Sequence, residues 1–324
     1  MPNAIIVVGK SPNNIHVVAA KYTAVRLTEE GYTPNFINTM ATDNQDVLKY
    51  HMQQAKPELV VTLDCAGFDL DLLGGDLFYN SLCCPARHIL LRPPFVFDGA
   101  LRKRMNFTMD FYALGKSEAE YLERNYRRVP YSKVVEPVMG KASPDRKERQ
   151  LGIMIAGTYF NPETVYDNMC ICAGAYADEF ADMADRLLEG RTDIYAIADE
   201  TRSGRILLSE KPDAAILAIE YARVRRLKDI ADALIRINIP FAVCAPGWKE
   251  NFNYTGLICI SEQELMAEQL MQVYGMSAIV IDCNPGRPDI CPVPAMMASA
   301  CGAETMNVTK WSESDFYKKL LEIV

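Results

Sequence analysis

Short apolar runs alternate along the chain with longer segments whose apolar residues recur at helical spacing. In the first half, AIIVVG (4–9) and LVVTLD (59–64) are mainly apolar runs with the length of buried strands. Between them, segment 15–31 has the spacing of an amphipathic helix and ends at Gly31. Strands that are apolar on both faces and are separated by helices are typical of a parallel sheet covered on both sides. The pattern therefore predicts a doubly wound α/β domain.

The same alternation continues through the first half and restarts after residue 150. Further strands are predicted at 34–39, 88–92, 111–115, 133–138, 151–157, 241–247, 257–260 and 278–283. Further helices are predicted at 46–55, 117–129, 162–190, 214–238, 262–275 and 312–324. Ser117, with Glu120 three residues later, is the predicted N-cap of its helix, and Ser312 or Ser314 caps the last one.

The polar segment GKASPDRKERQ (140–150) separates the two halves and lacks an apolar period. A chain of 324 residues is long enough for two domains of roughly 150 residues each. We therefore predict an N-terminal domain at 1–140, a linker at 141–150, a C-terminal domain at 151–310 and a C-terminal helix at 311–324. Two such tandem domains are expected to face a cleft.

The composition of the chain argues against several functional classes of protein. The net charge of −8 argues against a general nucleic-acid binder, which needs a basic surface. No apolar stretch approaches the roughly 18 residues of a membrane span, and the start does not resemble a signal peptide, so we expect a cytoplasmic protein. The ten cysteines are then expected to be thiols. Without a C-x-x-C pair, and with three histidines, the chain is not expected to bind a metal.

Three common enzyme motifs are missing from the sequence. No G-x-G-x-x-G follows the first strand, no complete P-loop motif occurs, and no G-x-S-x-G occurs. These absences disfavour a nicotinamide dehydrogenase, a P-loop kinase and a hydrolase with a nucleophile elbow. Ligands of open parallel sheets bind at the carboxyl ends of the strands. The candidate loops are therefore 9–14, 64–69, 92–99, 157–163, 245–250, 260–264 and 284–290.

The C-terminal loops have features that suit a phosphorylated ligand. GTYF (157–160) ends a strand and precedes a helix, whose N-terminal amides attract phosphate. Arg287 carries a planar fork that can hold phosphate oxygens. The small residues of ASACGA (298–303) would let a diphosphate approach the backbone. Tight packing of a helix on the sheet explains the same small residues equally well.

The order of these segments over 150–310 resembles the donor domain of GT-B glycosyltransferases, most closely the spore-maturation-type bacterial group. The resemblance is carried by the strand with GTYF, the long helix with basic residues, AVCAPGW, LICISEQEL, SAIVIDCNPG and the small-residue helix ending in ACGA. It implies two Rossmann-like domains and transfer of a sugar from a nucleoside diphosphate to an acceptor. The nucleotide-sugar is then a co-substrate, and neither a cofactor nor a metal is implied.

The resemblance also implies positions for the donor. The nucleoside would lie near Pro246, Gly247, Trp248, Ser261 and Glu262. The diphosphate would lie near Gly157, Thr158, Tyr159, Asn284, Gly286, Arg287 and the amides around Ala300 and Gly302.

One position departs from the pattern of such enzymes. If Gly302 matches the glycine of an E-A-M-A-x-G pattern, Met297 occupies the place of the glutamate that holds the ribose. A thioether cannot accept hydrogen bonds from ribose hydroxyls as a carboxylate does. Pro294 likewise takes the place of a basic residue. Asp289 and Glu304 are the alternative acidic groups.

The acceptor half offers two carboxylates as a general base. Asp98 is the preferred base and Asp64 the second, because each follows a predicted strand. Gly9, Lys10, Ser11 and Arg92 are the expected acceptor-side residues. Two alternatives remain open: a catalytically degenerate protein that binds a nucleotide or sugar, and a nucleotide-sugar epimerase. The sequence does not indicate the sugar, the acceptor, the stereochemical outcome or the oligomeric state.

Overall fold

The computed structural model describes residues 1–11, 14–72, 76–103, 109–126, 132–134, 149–285, 293–308 and 311–323. Contacts between residues divide the chain into two compact units, Met1–Val138 and Met139–Val324. Each unit is built around one sheet of parallel strands flanked by helices.

The described residues of the first unit form six strands. They are β1 (Asn3–Val8), β2 (Thr33–Asn38), β3 (Leu59–Leu63), β4 (Ala86–Leu90), β5 (Met109–Ala113) and β6 (Ser132–Val134). Its helices are α1 (Ile15–Glu29), α2 (Gln45–Gln54), α3 (Asp98–Leu101) and α4 (Lys116–Asn125). The strand order is β2-β1-β3-β4-β5-β6, and all five pairings are parallel.

Five strands are seen in the described part of the second unit. They are β7 (Leu151–Ile155), β8 (Phe241–Val243), β9 (Leu257–Cys259), β10 (Ser277–Asp282) and β11 (Glu304–Asn307). Its helices are α5 (Pro162–Ala173), α6 (Ala177–Leu188), α7 (Ile194–Asp199), α8 (Ile206–Glu210), α9 (Pro212–Arg236), α10 (Trp248–Asn251), α11 (Ala267–Gly275), α12 (Val293–Ala300) and α13 (Glu313–Ile323). The strand order is β11-β10-β7-β8-β9, again with parallel pairings.

The predicted fold class, two tandem Rossmann-like α/β domains, is confirmed by these sheets. In both sheets the chain adds strands on one side of the first strand and then on the other. The strand order therefore reverses between β1 and β3 in the first unit and between β7 and β10 in the second. Such reversal points leave a crevice at the carboxyl edge of the sheet.

Several predicted element boundaries need correction. The long helix predicted at 162–190 is two helices, α5 and α6, because Gly174 has a φ of +61° and a short 3₁₀ turn follows α5. Helix α4 begins at Lys116 with Gly115 in the N-cap position, so Ser117 lies in the first turn. Ser312 does act as a cap, since its Oγ accepts the amide of Asp315 at 3.4 Å.

The core of the second unit contains aliphatic residues from all its strands except β9, with a ring cluster at one end. Trp248 is fully buried and stacks on Phe252 at a centroid distance of 5.4 Å. The last helix, α13, packs into the same core through Phe316 and Leu320. Among the described residues, no helix is long and apolar enough to span a bilayer.

His88 is the buried histidine of the first sheet. It lies on β4 with no exposed surface, and its Nδ1 is 2.6 Å from Thr62 Oγ1. The rings of Phe68 and Phe111 lie 4.7 and 4.8 Å from its imidazole. Within the part of the chain described, Nε2 has no hydrogen-bond partner. Burial lowers the pKa of His88 to about 3, so the folded protein keeps this ring neutral.

We expect His88 to make the protein sensitive to acid. The unfolded chain binds a proton near pH 6.5 whereas the folded state resists it down to about pH 3, so stability is lost as pH falls through this window. The loss approaches about 1.4 kcal/mol per pH unit. Urea unfolding of His88→Gln at pH 7, 6 and 5 should show a shallower pH dependence than the wild type. The exposed-histidine variant His51→Gln serves as the control. Equal slopes for wild type and His88→Gln would contradict the prediction.

Candidate functional site

The reversal point of the second sheet is lined by one glycine and two charged side chains. Gly157 follows β7, and Asp282 is the last residue of β10. Arg223 reaches this point from α9, where it donates from Nη2 to the carbonyl of Thr158 at 2.7 Å. Gly157 has a φ of +101°, and a Cβ at this position would overlap Arg223 Nη1. The backbone conformation therefore favours glycine here, and a side chain at this position would displace the Arg223 guanidinium.

Arg223 is held by its own helix. Its Nε donates to Glu220 Oε2 at 2.8 Å, and its Nη2 donates to Glu220 Oε1. Burial disfavours the charged form, but the hydrogen bonds to Glu220 and the charges of Glu220 and Asp282 outweigh it and raise the pKa of Arg223. The arginine therefore stays charged. Nη1 is left beside Gly157 with no hydrogen-bond partner among the described residues.

Asp282, the last residue of β10, is a buried acid whose side chain lies beside the first turn of α12. Its carboxylate accepts the backbone amides of Cys283 and Ala295, the latter in the first turn of that helix. Oδ2 finds no hydrogen-bond partner in the described ranges of the chain. Burial raises the pKa of Asp282 to about 6, although the charge of Arg223 opposes the shift.

This raised pKa predicts that Asp282 destabilises the fold at neutral pH. Its contribution to stability is fully present below pH 3.8 and is lost as pH rises through about 6, with a total of about 3 kcal/mol. Asp282→Asn should therefore be more stable than the wild type at pH 8, and this gain should shrink towards zero at pH 4, measured by urea unfolding. Asp167→Asn, an exposed acid on α5, is the matched control. A variant less stable than the wild type at pH 8 would contradict the prediction.

The loops after β7 and β8 are locked together. Trp248 Nε1 donates to the Gly157 carbonyl at 3.0 Å, and the Tyr159 amide donates to the Pro246 carbonyl at 3.2 Å. Tyr159 is buried, and its ring lies 5.3 Å from that of Trp248. Gly157, Tyr159, Pro246, Gly247 and Trp248 therefore do lie together, as a cluster. The Trp248 side chain is itself part of the core, so the prediction that a nucleoside lies near this residue would have to be met by the loop around it.

The loop after β9 remains exposed. Glu262 forms an ion pair of 2.5 Å with Lys249 of α10, which links this loop to the one after β8. Ser261 Oγ donates to the Gln263 carbonyl and accepts the Gln263 amide, so it shapes its own turn. Asn284 lies just after β10, close in sequence to the reversal point. Gly286, Arg287 and Asp289 lie outside the described residues.

The end of α12 corrects another expectation. The amides of Cys301, Gly302 and Ala303 donate to carbonyls of Met297, Ser299 and Ala298, so they close the end of the helix. Arg149, which precedes β7, donates to the carbonyls of Ala278 and Gly302. Ala300 and Gly302 thus lie at the amino edge of the sheet and are not available to a diphosphate bound at the carboxyl edge.

The buried residues of α12 explain its small side chains. Ala298 and Ala300 are buried, and Met297 is 2% exposed, so this face packs on the unit's core. Met297 is therefore a packing residue. Glu304 is exposed at the amino end of β11, away from the carboxyl edge. Tight packing, which the sequence left as an equal alternative, accounts for these alanines.

His16 joins the two sides of the reversal point in the first sheet. This buried histidine of α1 places Nδ1 3.1 Å from the carbonyl of Gly9 and Nε2 3.0 Å from Asp64 Oδ2. Its amide donates to Ser11 Oγ at 3.0 Å. Gly9 follows β1 and Asp64 follows β3, so the loops after both strands are tied to the start of α1. Lys10 is exposed in the same loop.

Asp64 is fully saturated by donors. Oδ1 accepts the amides of Leu91 and Arg92 at 2.7 and 3.1 Å, and Oδ2 accepts Arg92 Nε at 3.0 Å in addition to the contact with His16. Burial raises its pKa, but the hydrogen bond to His16 and the charge of Arg92 outweigh it, and the pKa of Asp64 is lowered. Such a carboxylate is a poor proton acceptor, which favours Asp98, the preferred of the two predicted bases, over Asp64.

Asp98 is also engaged, but closer to solvent. It begins α3, and Oδ2 accepts Arg102 Nε at 2.7 Å while Oδ1 accepts the Tyr126 hydroxyl at 3.0 Å. Its side chain is 21% exposed. Asp98 thus pairs with a cation and begins a helix, which are the structural roles that acidic residues in loops commonly have.

Three functional candidates were missed from the sequence. His16 and Arg223 lie inside amphipathic helices, where a polar residue on the buried face was the only signal. Asp282 ends an apolar strand. Since ligands of parallel sheets bind at the carboxyl ends of strands, its position alone indicated a candidate site residue. Among the described residues, no group of three or more His, Cys, Asp or Glu side chains is arranged to hold a metal ion.

The fold and these edges define the chain as a two-unit α/β protein with Rossmann-like parallel sheets and a polar cluster at each reversal point. No family model and no curated protein matches the chain. Among solved structures, it is similar to a UGT transferase from Siraitia grosvenorii in complex with UDP, with 9% identity and a TM-score of 0.38 over 99% of this chain and 90% of that one. It is also similar to an alpha-glucosyltransferase in complex with UDP-glucose and DNA containing an abasic site, with 9% identity and a TM-score of 0.44 over 97% and 80% of the two chains.

Proposed function

We propose that the protein is a glycosyltransferase whose second unit binds a nucleoside diphosphate sugar at the carboxyl edge of its sheet. The observation that carries this proposal is the position of Arg223 at the reversal point between β7 and β10, with its Nη1 beside Gly157. This is the place where open α/β sheets bind their ligands. The order of segments over 150–310, which resembles a GT-B donor domain, supports the same assignment.

Arg223 has the chemistry for a diphosphate. A guanidinium forms charge-assisted hydrogen bonds with phosphate oxygens, and its charge stabilises the diphosphate as it departs from the sugar. Gly157, which lacks a side chain, lets the Arg223 guanidinium lie directly against the backbone after β7. The loop that contains Asn284, Gly286 and Arg287 continues from β10 and is proposed to contact the same diphosphate.

The nucleoside is proposed to lie against the exposed loops after β8 and β9. Ser261 and Glu262 supply polar groups there, and Pro246 supplies apolar surface. Trp248 and Tyr159 support these loops from the core instead of contacting the ligand. Ala300 and Gly302 are not part of the proposed site.

Asp98 is the proposed base that deprotonates the acceptor hydroxyl. It is the candidate carboxylate with solvent exposure, whereas Asp64 is enclosed by four donors. For Asp98 to accept a proton, its ion pair with Arg102 must give way, and Arg102 is 58% exposed at the side chain and able to do so.

A protein that binds the nucleotide without transferring a sugar is the second candidate. Its specific support is that both carboxylates expected to act as bases accept hydrogen bonds from cationic side chains. Met297, a packing residue in the place expected for a ribose-binding glutamate, favours the same alternative.

Calorimetric titration with UDP, GDP and their glucose conjugates tests the proposal. Saturable binding together with slow hydrolysis of the sugar donor would support a transferase. Binding of the nucleotide with an intact donor would favour the second candidate. If none of these compounds binds, both candidates are wrong.

A further inference from the structure

The edge of the first sheet presents an arginine that is oriented by a buried network. Arg92 follows β4, and its Nε donates to Asp64 Oδ2 at 3.0 Å. Its guanidinium carbon lies 4.8 Å from the centre of the Phe97 ring. The hydrogen bond to Asp64 therefore fixes one edge of the guanidinium, and the Phe97 ring covers one of its faces. Because the side chain is already held, it loses little rotational freedom when a ligand binds.

The rest of the guanidinium is open. The Arg92 side chain is 41% exposed, whereas that of Asp64 is 0% exposed. Across the described residues, Nε is the only side-chain nitrogen of Arg92 with a hydrogen-bond partner. The two Nη groups therefore carry up to four N–H donors that no described residue accepts, at the carboxyl edge of the sheet.

The negative charge of Asp64 does not neutralise the Nη groups of Arg92. Its two oxygens already accept two backbone amides, the His16 ring and Arg92 Nε, so its charge is spread over four donors inside the protein. The backbone that positions it is strained, since Asp64 and Cys65 have φ values of +49° and +55°. Residues in such conformations persist where their surroundings hold them, often at ligand sites. Lys10, exposed in the loop after β1, adds positive charge to the same edge.

We propose that Arg92 is the anion-binding residue of the first unit and that its ligand is a small molecule carrying a phosphate or a carboxylate. Within the transferase proposed above, on which this reading of the ligand rests, the acceptor is an anionic sugar or a similar hydroxyl compound whose charged group binds at Arg92. His16 and Asp64 are positioning residues that hold the guanidinium.

A second basic cluster in the same unit provides the matched control. A cavity of about 320 Å³ lies between α1 and strands β3 to β5. Arg26 and Arg87 line it, and Arg87 forms an ion pair of 2.9 Å with Glu30. Arg87 and Arg92 are five residues apart, and both are partly exposed and paired with a carboxylate. Only Arg92 lies at the carboxyl edge of the sheet.

The test titrates the full chain with glucose 6-phosphate, glucuronate and neutral glucose, followed by NMR or calorimetry. We expect one of the two anions to bind and glucose to bind at least tenfold more weakly. The anion that binds identifies the phosphate or the carboxylate class. Arg92→Gln should weaken binding at least tenfold. Arg92→Lys should retain part of it, since charge is kept but the fork is lost, and Arg87→Gln should leave it unchanged.

Three results would overturn the inference: no binding of either anion, equal binding of glucose, or loss of binding in Arg87→Gln instead of Arg92→Gln. Thermal unfolding of each variant shows whether it is folded. If Arg92→Gln does not fold, Arg92→Lys replaces it in the test, because lysine keeps the positive charge opposite Asp64. UDP titration of the same variants separates the two proposals. Normal UDP binding without anion binding refutes this inference alone, whereas anion binding without UDP binding refutes the donor site alone.

Discussion

Gly247→Ala is expected to destabilise the second unit more than any other Gly→Ala substitution in it. Gly247 has a φ of +87°, and an added Cβ would overlap the carbonyl oxygen of Tyr159, a backbone atom that cannot rotate away. The left-handed backbone costs about 1 kcal/mol and the overlap about 1–3 kcal/mol, so a loss of about 3 kcal/mol is expected. Urea unfolding of the variant measures it.

Two control variants in the same unit separate these causes. Gly204 has a φ of +63° and open space around its Cα, so Gly204→Ala reports the backbone cost alone. Gly152, in β7, has open space and no positive φ, so Gly152→Ala should be nearly neutral. If Gly247→Ala were no more destabilising than Gly204→Ala, the close contact between the loops after β7 and β8 would be refuted.

Arg223→Gln is expected to weaken UDP binding by roughly 10- to 100-fold, the range given by losing one or two hydrogen bonds to a charged group. The amide of glutamine keeps polarity but neither the charge nor the reach of the guanidinium. Arg223→Lys should lose less, because the charge remains. Calorimetric titration with UDP measures each affinity.

Arg225→Gln is the matched control for this variant. Arg225 is an exposed arginine two residues further along α9, so it carries the same charge without facing the reversal point. Its loss should leave the affinity for UDP within about twofold, as expected for a solvated surface charge. Unchanged affinity in Arg223→Gln, with a normal thermal unfolding profile, would exclude Arg223 from the site.

The hydrophobic pattern predicted most of the fold. Apolar runs identified the central described strands, such as β1, β3 and β8, because their residues are buried on both faces, and long amphipathic repeats identified α1 and α9. Strand β11 (ETMN) was missed because a short edge strand with one buried residue has no apolar run. The break between α5 and α6 was missed because the residues around Gly174 have good helix propensity, and only the backbone at the glycine ends the helix.

The sites were less predictable for a different physical reason. Strand ends can be read from the sequence, so Gly9, Asp64, Arg92 and Gly157 were selected correctly as edge residues. Their partners come from distant helices, and pairing His16 with Asp64 requires knowing which strands are neighbours. The role of the small residues in α12 could not be read from the sequence, because small residues serve close packing and ligand approach equally well. Whether a small residue is buried distinguishes the packing role from the ligand role, and its burial depends on how the whole sheet is assembled.

Hydrogen exchange with and without saturating UDP tests most directly whether the edge of the second sheet binds a nucleotide. We predict slower amide exchange in peptides that contain residues 157–161 and 283–285, with no change in peptides from the amino edge that contain 149–151 and 301–304. Uridine, which lacks the diphosphate, should give little protection at the same concentration. Protection confined to the amino edge, or none despite saturable binding, would contradict a donor site at the reversal point between β7 and β10.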